Sequence, residues 1–196
     1  MTTAIDNRRD ILLLLLYSPG KTDKVNEPII GRTRIVKMLF LFKEEVFQLF
    51  KKDIKIDEEK FYSFFPWDFG PFSRDVYDDL TFFVLRKFID AKESDEEAIS
   101  ESAAEWEKWL SMSRSDSNEE NITEYDEEIF TLTKKGLIFA QGLYEQLSVE
   151  QKRILKEFKS RIVKAPLRAL LKYVYENYEH MTTKSRIRGE ILGNRG

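Results

Sequence analysis

Three carboxylates, Asp75, Asp78 and Asp79, are the residues whose spacing comes nearest to a reactive site. On a helix, Asp75 shares a face with Asp78 or Asp79. Such a face can hold Mg²⁺ or stand in solvent as ordinary helix charge, and the second is the reading taken here. The rest of the inventory argues against catalysis. His180 is the single histidine, which rules out a histidine triad and a multi-histidine metal site. The chain has no cysteine, so thiolate nucleophiles, thiolate zinc sites and disulfides are excluded. Phosphate-binding glycine loops, dinucleotide fingerprints and Gly-x-Ser-x-Gly elbows do not occur. The acidic runs at 95–97 and 126–128 read as solvated charge. Neither a catalytic residue, a metal ligand nor a cofactor site is therefore expected.

Binding chemistry is better represented. Phe61, Tyr62, Phe64, Phe65, Trp67, Phe69 and Phe72 place seven rings in twelve residues. So dense a cluster must enter a core or serve as a contact surface. Pro66 and Pro71 hold this stretch extended, and most of its rings are expected to pack against the helix that precedes it. Trp67 and Phe69, either side of Asp68, are the rings expected to stay partly accessible as protein-binding anchors, with Arg74 beside them. A nucleic-acid reading would instead use Arg32 and Arg34, then Lys152, Lys156 and Lys159, then Lys184, Arg186 and Arg188. On the helix after Ser148, Ile154, Leu155, Phe158 and Ile162 form the apolar stripe and most lysines are expected to face water.

Charge is unevenly spread along the 196 residues. Residues 94–130 carry 13 acidic and 2 basic groups, whereas residues 131–196 carry 14 basic and 6 acidic ones. The net charge of −3 hides this polarity. The apolar run Ile11–Leu16 is too short to span a bilayer and lies behind Asp6, Arg8, Arg9 and Asp10, so it reads as a buried helix of a cytoplasmic protein.

Periodicity and punctuation place these residues on a mainly helical chain with a small β-hairpin. Helices are expected over about 5–17, 32–52 and 74–85, the last capped by Ser73. Strands follow near 87–91 and at 128–132, joined by an acidic insertion at about 94–126 that carries Trp106 and Trp109. Thr133 caps a helix to about Leu147, and Ser148 with Gln151 signals a capping box for the next. A final helix starts at Pro166. The order helix, helix, extended segment, helix, strand, strand, helix is that of a winged-helix-like domain over 1–147, with a C-terminal helical extension over 148–196.

Three segments together resemble one family: GRTRIVKMLFLF at 31–42, FFPWDFGPFSRDVYDDL at 64–80 and FTLTKKG at 130–136. They are similar to YwgA-like proteins, related to the SocA-like or Panacea domain of antitoxins. The likeness covers roughly residues 5–188, with the acidic insertion unmatched. It implies a winged-helix-like fold and a non-catalytic regulatory or antitoxin-like role through protein–protein binding. It carries no catalytic residues. The alternative is a DNA-binding transcriptional regulator using the basic C-terminal region, acting as a homodimer or alone. Asp75, Asp78 and Asp79 argue against base reading by the helix that carries them, since carboxylates repel phosphate.

Overall fold

The computed structural model describes residues 5–50, 56–93 and 128–193. The acidic insertion, with Trp106 and Trp109, lies outside the described residues. The described residues are mainly helical, with two small antiparallel sheets. Helix α1 (Arg8–Tyr17) is capped by Asn7, whose side chain accepts from the Arg9 and Asp10 amides, while Asp10 returns the bond in a capping box. From Ile11 to Leu16 it is buried on every side, which is why its apolar residues show no single stripe.

Strand β1 (Ile29–Ile30) follows a loop in which the Asn26 side chain imitates a strand. Its Nδ2 donates to the Leu132 carbonyl at 3.1 Å and its Oδ1 accepts from the Leu132 amide at 2.6 Å. Helix α2 (Arg32–Leu41) comes next, then a π-helical turn (Phe42–Val46) and a short helix α3 (Phe47–Phe50). Helix α2 is a central one: all of Arg32–Leu41 is buried, Thr33, Arg34 and Lys37 included, while Leu49 further on is exposed.

Strands β2 (Phe65–Trp67) and β3 (Gly70–Phe72) form a hairpin that alternation alone did not reveal. Its register sets Pro66 opposite Pro71, flanked by Trp67 opposite Gly70 and Phe65 opposite Phe72. In an antiparallel ladder only alternate pairs exchange amide hydrogen bonds, so the prolines occupy the pair that does not. Helix α4 (Arg74–Leu85) starts where expected, but the buried Ser73 hydroxyl makes no capping bond. Strands β4 (Ile89–Glu93) and β5 (Glu128–Leu132) pair, and β1 adds to the far edge of β5, giving the order β1-β5-β4.

Helix α5 (Lys134–Tyr144) is capped by Thr133, and α6 (Val149–Lys164) by the expected Ser148–Gln151 box. Helices α7 (Leu167–Asn177) and α8 (Arg188–Leu192) close the chain. One core runs through all of this. It joins α1 and α2 to Phe130 and Leu132 of the sheet and to Leu155, Phe158, Leu171 and Val174 of the C-terminal helices, so the latter are part of the same packed body. No helix among the described residues is long and apolar enough to cross a membrane.

Candidate functional site

The hairpin is where unusual chemistry reaches the surface. Alternation along β2 sends Phe65 and Trp67 to one side, and Phe72 joins them from the facing position of β3. Phe65 and Trp67 remain 41% and 49% exposed. Their rings do not stand apart. Phe65 lies 6.0 Å from Trp67 and 5.4 Å from Phe72, both edge to face, and Phe72 lies 5.1 Å from Tyr77 on α4. Edge-to-face contact is the favourable arrangement for ring quadrupoles. The four rings thus form a ridge that starts in solvent and ends against the body of the protein.

Several fixed contacts hold the ridge. Gly70 adopts φ +85°, a left-handed conformation, and a Cβ there would stand 3.1 Å from the Tyr175 ring. Its lack of a side chain lets the hairpin sit directly on α7. The turn is anchored from the C-terminal segment. The Asp68 carbonyl accepts from Ser185 Oγ at 2.9 Å and from the Arg186 amide at 3.1 Å. Arg186 Nε pairs with the Asp68 carboxylate at 3.2 Å. Ser185 also meets the Tyr175 hydroxyl, whose pKa burial pushes up to about 12. On the other flank Arg32 forks onto Glu128 and lies 5.6 Å from the Tyr77 ring, so the ridge is tied to β5.

Of the expected anchors, Trp67 is half exposed, Arg74 is exposed, and Phe69 is partly accessible while packing against the core. Phe65 takes the outward place beside Trp67. The signal for it was present: residues 65 and 67 are two apart on an extended, proline-held stretch and so share a face.

The basic residues do not gather on one face. Arg34 Nη1 donates to the Ile162 and Ala165 carbonyls at 2.6 and 2.7 Å, closing the end of α6. Lys159, expected with the solvent-facing lysines, is fully buried and donates to the Leu16 and Ser18 carbonyls at 2.9 and 2.7 Å, closing the end of α1. Lys37 reaches the Pro71 carbonyl at 2.8 Å. These cations satisfy backbone carbonyls at places where the ladder leaves them open. Burial lowers the Lys159 pKa to about 7, with Glu27 opposing, and lowers that of Arg34. Arg32 is committed to Glu128. Of the remainder, Lys156 pairs with Asp23, Lys152 lies 5.3 Å from the Tyr144 ring, Arg186 meets Asp68, Arg188 meets Glu179 and Lys184 is exposed.

The three aspartates also differ from expectation. Asp79 is buried between Arg8 Nε at 3.0 Å and Arg9 Nε at 2.7 Å, and Asp75 takes Arg8 Nη1 at 2.8 Å. Asp78 is exposed and Asp75 partly so. The pairing ties α4 to α1 and neutralises two of the three charges that would have repelled phosphate. Among the described residues no group of three or more His, Asp or Glu is placed to hold a metal ion.

No family model, curated protein or solved structure matches this chain.

Proposed function

We propose that this chain is a non-catalytic regulatory module, antitoxin-like in kind, that works by binding another protein through the aromatic ridge. The observation that carries this reading is the pair of half-exposed rings, Phe65 and Trp67, on a hairpin clamped from three sides. Large rings on a rigid support lose little side-chain freedom when covered, which makes them effective interface anchors. A winged-helix-like identity belongs to this proposal. Its support is the order β1-β5-β4, with β4 and β5 as a hairpin after α4.

The test is affinity purification from the native host, followed by calorimetric titration of the recovered partner. Trp67→Ala and Phe65→Ala are each expected to weaken binding about thirtyfold or more, with the unfolding midpoint little changed because both rings are half exposed. Undiminished affinity in the double variant would remove the ridge from the interface.

A DNA-binding reading keeps one favourable observation, the neutralisation of Asp75 and Asp79 by Arg8 and Arg9. Arg32, Arg34 and Lys159 are buried and drop out of such a surface, which leaves Lys152, Lys156, Lys184, Arg186 and Arg188 to form it. Salt-dependent binding of duplex DNA would revive it.

A further inference from the structure

A second surface lies where α4 turns into β4 against the first turn of α5. Leu85 ends α4 at 76% exposure, and Ile138 stands 66% exposed on α5. Arg86 and Lys87 follow Leu85, and Lys134 and Lys135 lie one turn before Ile138, all exposed. The two segments are in contact. Lys135 Nζ donates to the Arg86 carbonyl at 3.1 Å and lies 4.1 Å from the Phe88 ring centre. Thr133 Oγ1 donates to the Lys87 carbonyl at 2.7 Å, and the Thr133 amide to the Phe88 carbonyl at 3.0 Å. Lys134 and Lys135 precede Ile138 by four and three residues, so they share its side of the helix.

Among the described residues, charge in these two segments has one sign. Residues 81–89 and 131–144 contain no Asp or Glu. The next carboxylate along β4, Asp90, is paired with Lys92 at 3.1 Å, and Glu145 lies beyond the far end of α5. Exposed apolar side chains beside several exposed cations that have no carboxylate partner among the described residues have the composition of an anchor site with a charged rim.

We infer that this corner, distinct from the aromatic ridge, docks an acidic amphipathic helix of a partner protein. Leu85 and Ile138 cover its apolar stripe, while Arg86, Lys87, Lys134 and Lys135 meet carboxylates on its flanks. The two apolar residues decide between classes of anion. A phosphate backbone has nothing to bury against Leu85 and Ile138. A membrane surface needs a broader apolar face than two side chains provide.

The probe is a fluorescein-labelled, helix-forming peptide with leucines at successive helical turns and glutamates between them, titrated by anisotropy against the whole protein. Binding is expected to weaken at least tenfold in Leu85→Ser/Ile138→Ser and in Lys134→Glu. All three positions are exposed, so far-ultraviolet circular dichroism should stay unchanged. Trp67→Ala should bind the peptide as the parent protein does, which separates this corner from the ridge. The inference is overturned if the peptide does not bind, or if it binds the variants equally well. It is also overturned if duplex DNA or phosphatidylserine vesicles bind more tightly than the peptide, with a response to Lys134→Glu and none to Leu85→Ser/Ile138→Ser.

Discussion

Gly136→Ala is expected to destabilise the protein by roughly 3 kcal/mol, the upper part of the range for overpacking, despite alanine being the better helix former. A Cβ at 136 would stand 2.0 Å from the Phe88 carbonyl oxygen and 3.3 Å from Leu132 Cδ2. Neither neighbour can yield cheaply. The Phe88 carbonyl already accepts the Thr133 amide, and Leu132 is buried in the core. In a chain of this size the loss corresponds to a fall in the thermal midpoint of roughly 6–12 °C. Gly142, on the same helix, supplies the control. Nothing lies within 4 Å of its Cβ position, so Gly142→Ala should stabilise by about 0.5–1 kcal/mol. Opposite signs at two glycines six residues apart would isolate the close approach of α5 to the α4–β4 turn. A stabilised Gly136→Ala would mean that the approach is looser than described.

Lys159→Met should cost stability by an amount that depends on pH. The buried amine donates to two carbonyls at the end of α1, and methionine keeps the stem while stranding both acceptors. That loss is about 2 kcal/mol or more. Against it stands the cost of keeping an ammonium out of water, which lowers the folded-state pKa from 10.5 to about 7. Between those values the unfolded chain binds the extra proton and the folded chain does not. Folding of the parent protein therefore strengthens as pH rises through the window, relative to the methionine variant. Glu27, the carboxylate facing the amine, acts in the opposite sense and narrows the window. Urea titrations at pH 7, 8 and 9 should show the deficit of Lys159→Met widening with pH. A deficit that stays flat would show that Lys159 is charged throughout, held so by the carbonyls at the helix end.

Local signals in the sequence were read with success where they act locally. The limits of α4 and β5, the Thr133 cap and the Ser148–Gln151 box all follow from residues within one turn of each other. The misreadings share another physical origin. Arg34 and Lys159 look like surface cations because nothing nearby reveals that each will meet a helix end more than 120 residues away in the chain. Asp79 looks solvated for the same reason, since Arg8 and Arg9 lie some 70 residues upstream. The ridge was half legible. Trp67 and the partly accessible Phe69 stand out, whereas Phe65 emerges as the second exposed ring only once the hairpin is seen to place it beside Trp67.

That register has a consequence for how the protein survives exposing its rings. A two-stranded hairpin has two free edges, and on each the amide that points away from its partner comes from the pair that does not exchange hydrogen bonds. Here that pair is Pro66 and Pro71, neither of which has an amide hydrogen. Both edges can accept hydrogen bonds at these positions but cannot donate them. The Pro71 carbonyl is already taken by Lys37. A neighbouring chain arriving as an extra strand would find no donors to pair with, so growth of the sheet stops at two strands. The hairpin displays Phe65 and Trp67 in water while refusing the strand-by-strand stacking that such sequences otherwise invite.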